Sequence, residues 1–164
     1  MTEVFVGIGS NVEPEKHVRR AVELLRARFG ALRLSPFYRN PAMGFEGEDF
    51  LNGVAAFETG LGVPELNDAL DAIELHCGRE RGAARFAPRT LDLDLLLYGE
   101  RVSDAPRLPR PEILKYAFVL KPLADLDPNR RHPQTGKTYA RHWEEFSGVR
   151  TGLVAVGLPG FTSG

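Results

Sequence analysis

The chain has 164 residues, 43% hydrophobic and 26% charged, which is the ordinary composition of one globular domain with its own core over residues 1–164. Its formal net charge of −1 excludes the broad positive surface of nucleic-acid-binding proteins, so we expect a small-molecule partner. Cys77 is the only cysteine, and neither a leader pattern nor an apolar run of membrane-spanning length occurs, so we expect a cytoplasmic protein that binds no membrane.

The first part of the chain predicts a strand and an amphipathic helix. Residues 4–8 are apolar and run into a Gly-Ser-Asn turn at 9–11, which leads to a helix over about 14–29 with Pro14 in its first turn. The apolar residues of this helix follow the spacing of one buried face, and Gly30 ends it.

Two further strands and a second helix follow. Residues 32–38 predict an imperfect strand, and residues 50–58 predict a third strand after a loop punctuated by Pro and Gly. Pro64 opens a second helix with one apolar stripe, and Gly78 ends it.

Several short motifs are interpreted as structural. The GxG pair of Gly7 and Gly9 lacks the third glycine of a dinucleotide fingerprint and is predicted to be a turn. Gly136–Thr138 lacks the first glycine of a P-loop, and residues 132–136 are predicted to form a turn. The histidines have no metal-ligand spacing and are predicted to lie at the surface: His17, His76, His132 and His142.

An acid-bearing strand at 91–98 is the most informative stretch. Leu occupies its odd positions, whereas Asp92 and Asp94 share the opposite face because successive side chains of a strand alternate. Their backbones would lie about 6.6 Å apart, a spacing at which two carboxylates can share hard cations such as Mg²⁺. Leu96 and Tyr98 would follow on that same face, which a solvated edge strand does not need. The alternative is an edge strand with Leu inward and Asp in water.

Arginines are concentrated just upstream of this strand. Guanidinium forks beside paired acids that can hold Mg²⁺ outline a polyphosphate site, although a solvated basic loop is the alternative. A single acid, Glu80, lies among these arginines: Arg79, Arg81, Arg85 and Arg89.

The order of these elements predicts an α+β fold. Strand, helix, strand, strand, helix, strand over residues 4–98 is the β-α-β-β-α-β core of ferredoxin-like folds, whose antiparallel sheet is covered on one face by two helices. The other face would be left free for a site. A C-terminal extension follows, with Pro-rich turns and an apolar run at 118–123, and its tail from Gly152 predicts no element.

Four blocks of the chain, within a match from about residue 3 to about 126, resemble the 6-hydroxymethyl-7,8-dihydropterin pyrophosphokinase family of folate biosynthesis. The Arg-Thr-Leu-Asp-Leu-Asp string is highly specific for that family. The blocks are Gly7–Asn11, Phe37–Pro41, Phe50–Asn52 and Pro88–Asp94.

The resemblance implies an ATP-dependent pyrophosphokinase. Members of the family transfer the β,γ-pyrophosphoryl group of ATP to the hydroxymethyl oxygen of the pterin and release AMP. Asp92 and Asp94 would hold two Mg²⁺ ions, and Glu74 matches a nucleotide-side position. ATP and the pterin would be the partners of a monomer. The phosphate-handling arginines of the family match Arg79, Arg81 and Arg89.

The same resemblance implies a pterin pocket. Asn52 would read the donor and acceptor edge of the heterocycle, and Phe50 and Phe118 would stack on its faces. Further lining residues would be Asn40, Pro41 and Met43.

Two positions depart from the family pattern. Arg110 stands where members usually carry histidine, and Tyr116 where they usually carry arginine, both at ATP contacts of the family. These departures leave two alternatives open, a paralogue acting on a related hydroxymethylated heterocycle and a non-catalytic ATP- or pterin-binding module. The acid pair and the arginines argue against the module, because binding alone does not need metals at a phosphorus.

Overall fold

An antiparallel sheet forms the centre of the computed structural model, in which residues 1–40, 49–77, 91–150 and 152–158 are described. The strands are β1 (Thr2–Ser10), β2 (Arg33–Leu34), β3 (Phe37–Asn40), β4 (Phe50–Thr59), β5 (Asp92–Tyr98), β6 (Ser103–Asp104), β7 (Arg107–Leu108) and β8 (Val154–Val156). The helices are α1 (Pro14–Phe29), α2 (Val63–His76), α3 (Glu112–Lys115), α4 (Ala117–Leu126) and α5 (Tyr139–Glu145).

The main sheet has the strand order β5-β1-β4-β3-β8, and β2 also pairs with β4. All of these pairings are antiparallel. Helix α1 connects β1 to the β2–β3 region and α2 connects β4 to β5, so the four strands β5-β1-β4-β3 form the ferredoxin-like core. The predicted α+β fold with a C-terminal extension is therefore confirmed.

One predicted strand is divided in two. The sequence predicted a single strand over 32–38, but Ser35 bonds Val54 through both its backbone N–H, at 2.9 Å, and its hydroxyl, which accepts from the Val54 N–H at 2.8 Å. Pro36 then supplies no N–H. The ladder is interrupted at these two residues, so β2 ends before them and β3 begins after them.

Helix α1 has the bounds that the sequence predicted. It begins at Pro14 and ends at Phe29, and the following Gly30 has a φ of 88° that glycine readily adopts. Its apolar stripe and that of α2 pack against one face of the sheet and form the first apolar cluster. Helix α2 ends at His76, and the predicted stop at Gly78 lies outside the described residues. None of the helices in the described ranges is both long and apolar enough to cross a membrane.

A bulge in β5 reverses the alternation of its side chains. Val6 pairs with Leu95 and Phe5 pairs with Leu97, so Leu96 is the extra residue. Leu96 and Leu97 both lie on the face opposite α1 and α2, in the second apolar cluster. Tyr98 lies instead on the helix face, where its hydroxyl donates to the carbonyl of Leu61 at 2.6 Å. The prediction that Tyr98 shares the face of the acids is wrong, because the bulge adds one residue.

The second face of the sheet is only partly free. Helices α3, α4 and α5 cover part of it, and their apolar residues form the second cluster with Phe5, Val54 and Leu96. The prediction that this face is left free for a site holds for only part of it, because the apolar run of the extension is itself an amphipathic helix whose apolar side is buried here. The part of the face that the described residues leave uncovered is a cleft.

The unassigned tail supplies an edge strand. Strand β8 pairs with β3 through Phe37, Tyr38 and Arg39. Three residues are too few to show a recognisable alternation of apolar and polar positions, so no element was predicted for the tail.

His132 is buried, although all four histidines were predicted at the surface. It is 4% exposed, and its Nδ1 accepts hydrogen bonds from the backbone N–H groups of Gln134 and Thr135, both at 3.2 Å. Burial, followed by the nearby charge of His142, lowers the pKa of His132. The neutral ring therefore stabilises the turn at residues 132–137 by accepting these hydrogen bonds. Gly136 lies in this turn, as predicted.

We expect the free energy of unfolding to fall as the pH drops below about 6.5, the ordinary pKa of histidine. The unfolded chain binds the proton more readily than the folded chain, because the pKa of His132 is lowered on folding and protonation removes the Nδ1 acceptor. Thermal unfolding at about pH 7.5 and about pH 5.5 measures this dependence.

His132→Asn should reduce the pH dependence, since an amide oxygen can accept in place of Nδ1 without titrating. A residual slope is expected from His142, whose pKa burial also lowers. His76→Asn, at an exposed histidine, is the matched control. If the pH dependence of thermal unfolding were unchanged in His132→Asn, His132 would not be the group responsible for it.

Candidate active site

A cleft of about 220 Å³ lies on the uncovered part of the second sheet face. Strands β1, β4 and β5 form its floor, and residues of α3 and α4 form one wall. Three groups of side chains meet in it: a pair of acids, a pair of amides and a set of aromatic rings. The predicted site residues that line it are Asn40, Phe50, Asn52, Asp92, Asp94 and Phe118.

The two acids face glycines across the sheet. Asp92 pairs with Gly9 and Asp94 with Gly7 in the antiparallel ladder of β5 and β1. Because glycine has no side chain, nothing on β1 covers the floor beside the carboxylates. The prediction that the GxG pair is a turn is wrong: both glycines lie within β1, and their pattern instead marks where the strand is left bare.

The carboxylate of Asp94 is accessible and lies beside a positive charge. The Asp94 side chain is 49% exposed, and its Oδ1 lies 3.7 Å from Nη2 of Arg110. No cluster of three or more His, Cys, Asp or Glu side chains that could hold a metal occurs within the described ranges. A pair of carboxylates nevertheless fits Mg²⁺, which is usually held by one or two carboxylates and completes its shell with water and phosphate oxygens.

The amide pair is oriented by an internal hydrogen bond. Nδ2 of Asn52 donates to Oδ1 of Asn40 at 2.6 Å. Asn52 pairs with Gly9 on the other side of β1, and a Cβ atom at Gly9 would lie 2.7 Å from Oδ1 of Asn52. The Asn52 amide therefore lies against the bare backbone of β1, and its orientation depends on Asn40 and Gly9 together.

Aromatic rings from two elements line the cleft. Phe50 starts β4, and Phe118 is in the first turn of α4. Tyr116 stacks on Phe118 with ring centroids 5.0 Å apart and planes inclined by 19°. Apolar rings beside oriented amides suit a flat heterocycle that carries hydrogen-bonding groups on its edge.

Glu74 lies behind β5, among the side chains of α2. It is 3% exposed, and its Oε2 accepts a hydrogen bond at 2.8 Å from the backbone N–H of Leu93, the residue between the two acids. Since β5 is an edge strand, this contact links the acid-bearing segment to α2.

Five predicted site residues lie outside the described residues: Pro41, Met43, Arg79, Arg81 and Arg89. The two family departures are both in the cleft, as lining residues Arg110 and Tyr116. Sequence reasoning missed Glu112, whose Oε2 accepts from Nε of Arg110 at 2.5 Å. The available signal was the pair of opposite charges two residues apart, Arg110 and Glu112, which could have indicated an ion pair.

Comparisons with known proteins identify the family of this chain. The family described as 7,8-dihydro-6-hydroxymethylpterin-pyrophosphokinase (HPPK) matches residues 5–128. The 2-amino-4-hydroxy-6-hydroxymethyldihydropteridine pyrophosphokinase of Pseudomonas aeruginosa is 46% identical over 137 residues, which cover 79% of this chain and 83% of the relative. The enzyme of that name from Synechocystis is 37% identical over 158 residues, covering 93% and 80% respectively.

A solved structure resembles the fold. The HPPK-DHPS protein of Plasmodium falciparum, crystallised with SDX-DHP, superposes with a TM-score of 0.70 over 89% of this chain at 10% identity. The match covers 44% of that chain, so this chain spans less than half of the larger protein. At this identity the likeness supports the fold alone.

Replacing Gly9 with alanine should displace the Asn52 amide while leaving the fold intact. The new Cβ would lie 2.7 Å from Oδ1 of Asn52, the movable end of a side chain, so the amide moves and loses its bond to Asn40. We expect a loss of roughly 0.5–1.5 kcal/mol in unfolding free energy. A proton–nitrogen NMR spectrum should show shifted side-chain amide signals for Asn52.

Gly7→Ala is the matched control, because its Cβ would meet Leu96 at an ordinary 3.6 Å. Unchanged Asn52 signals in Gly9→Ala, or equal shifts in both variants, would contradict this account of the amide.

Proposed function

Because the chain belongs to the 7,8-dihydro-6-hydroxymethylpterin-pyrophosphokinase family, we propose that it transfers pyrophosphate from ATP to 6-hydroxymethyl-7,8-dihydropterin in folate biosynthesis. The hydroxymethyl oxygen attacks the β-phosphorus, the bond from that phosphorus to the oxygen bridging it to the α-phosphorus breaks, and AMP leaves. The observation that carries this proposal is the meeting, in one cleft, of an acid pair with an aromatic and amide pocket.

Asp92 and Asp94 are proposed to hold two Mg²⁺ ions. Bound Mg²⁺ would neutralise the charge of the polyphosphate around the attacked phosphorus. The protein contributes the placement of its carboxylates: both project from one face of β5, and the hydrogen bond from the Leu93 N–H to Glu74 holds the segment between them. The nucleotide-side role that the resemblance gives to Glu74 would then be exerted through β5.

The pterin is proposed to lie between the aromatic rings. Phe50 and Phe118 would contact its faces, and the Asn52 amide would bond its polar edge. The hydrogen bond between Asn52 and Asn40 supports this role, since it fixes which amide atoms remain available to a ligand. Pro41 and Met43 would complete this pocket. The phosphates would be handled by the arginines outside the described residues: Arg79, Arg81 and Arg89.

Residues 1–164 would form a single domain, because the extension packs its apolar residues against strands of the family core. The protein would act as a cytoplasmic monomer. A paralogue with another hydroxymethylated acceptor and a binding module are the competing functions, and the nucleotide product separates them from the proposed one.

Incubation with ATP, Mg²⁺ and 6-hydroxymethyl-7,8-dihydropterin should yield AMP. ADP would indicate an ordinary kinase, and neither product would favour a binding module or a different acceptor. Asp92→Asn and Asp94→Asn should each lower AMP formation about 100-fold or more at saturating Mg²⁺, because each removes a charged ligand while keeping its shape.

Asp68→Asn, at an exposed position on α2, is the matched control and should leave the rate unchanged. Circular dichroism should show the same fold in all variants. Near-normal rates in either cleft variant would refute the metal-holding role of the acids.

The Tyr116 ring should act on acceptor binding through Phe118. Tyr116→Ala removes the stacked partner, so the KM for the pterin should rise roughly 2- to 10-fold, corresponding to the 0.5–1.5 kcal/mol of an aromatic pair. Tyr116→Phe keeps the ring and should behave like the parent protein. Steady-state kinetics with each substrate varied separately measures this effect, and an equal rise for both variants would assign it to the hydroxyl instead.

A further inference from the structure

Arg110 lies between two carboxylates at the wall of the cleft. Its Nη2 is 3.7 Å from Oδ1 of Asp94, and its Nε donates to Oε2 of Glu112 at 2.5 Å. Its backbone N–H donates to the carbonyl of Leu96 at 3.0 Å, beside the bulge of β5. The backbone is thus fixed to the acid-bearing strand, whereas the guanidinium is held by side-chain contacts that can exchange.

Arg110 differs in charge from the other ionisable residues that line the cleft. Among the described lining residues the carboxylates are Asp92, Asp94 and Glu112, and Arg110 is the one cationic side chain. The side chains of Arg110, Asp94 and Glu112 are each about one-third to one-half exposed. Their ion pairs therefore add little to the free energy of unfolding. Their effect is on the charge that an incoming metal or phosphate meets.

We propose that Arg110 is a displaceable counter-charge for Asp94. This inference rests on the proposed function, in which Asp94 holds Mg²⁺ beside a polyphosphate. In the free protein the guanidinium occupies the side of Asp94 where a cation would lie, and so opposes metal binding. When nucleotide and metal arrive together, the guanidinium leaves Asp94 for a phosphate oxygen, and Glu112 keeps it near both positions.

The chemistry of arginine suits such an exchange. The guanidinium carries a permanent charge and presents several N–H donors, so it can retain Glu112 through Nε while its Nη atoms change partner. A residue that repels the metal alone but favours metal with nucleotide couples the two binding events. By linkage, the nucleotide then raises metal affinity by the same factor as the metal raises nucleotide affinity.

The test measures Mn²⁺ binding by electron paramagnetic resonance of the full chain, with and without a non-hydrolysable ATP analogue. Arg110→Gln should bind Mn²⁺ more tightly than the parent protein without nucleotide. The gain in Mn²⁺ affinity caused by the analogue should shrink by roughly 5-fold or more, within the usual range of coupling between sites. Arg107→Gln removes the same charge from an exposed position of strand β7 and is the matched control.

The outcomes separate this inference from the proposed function. If Arg110→Gln and Arg107→Gln change Mn²⁺ binding equally, or if Arg110→Gln leaves the coupling intact, Arg110 is not the counter-charge, and AMP formation by the parent protein still supports the pyrophosphokinase. If Mn²⁺ binds none of the proteins even with the analogue, both this inference and the metal-holding role of the acids fail. Selective loss of coupling in Arg110→Gln supports the inference.

Discussion

The site depends on one stretch of strand β1 that carries no side chain over the cleft. On one side Gly9 pairs with Asp92 of β5, and on the other it pairs with Asn52 of β4. A side chain at Gly9 would meet the Asn52 amide, and it would also stand over the floor that the acids share. The acid half and the amide half of the cleft are therefore joined through the same backbone, and the absence of a Cβ atom at Gly9 leaves room for the Asn52 amide.

The bulge in β5 separates the polar and apolar ends of that strand. Before it, the side chains of Asp92 and Asp94 project into the cleft. The bulge residue Leu96 and the following Leu97 lie together on the same face and pack against the C-terminal helices. Strict alternation would have placed only one of these leucines there. Leu96 thus packs against the helices of the cleft wall directly beside the acids, and its carbonyl accepts a hydrogen bond from the backbone N–H of Arg110.

Elements whose apolar residues repeat at a regular spacing were predictable from the sequence. Features that depend on a particular hydrogen bond to a distant part of the chain or within a turn were not. Helix α1 has the predicted bounds because its apolar spacing, Pro14 and Gly30 agree. The break at Ser35 depends on hydrogen bonds to a partner strand, which no local pattern contains. Burial of His132 likewise depends on the turn that it organises. For the site, residue type revealed the acid pair, whereas the role of the glycines required the register of three strands.

The aromatic wall of the cleft is positioned by contacts far from the acids. Helix α4 carries Phe118 at its start, and near its end Asp125 accepts a hydrogen bond from the Tyr38 hydroxyl of β3. Burial, reinforced by that carboxylate, raises the pKa of Tyr38, so the hydroxyl remains a donor. Asp125 also binds Lys121 at 2.8 Å, and the Lys121 ammonium lies 5.5 Å from the centre of the Trp143 ring on α5. Because these contacts hold α4 to both the sheet and α5, the position of Phe118 in the cleft depends on residues beyond the family match, which ends at 128.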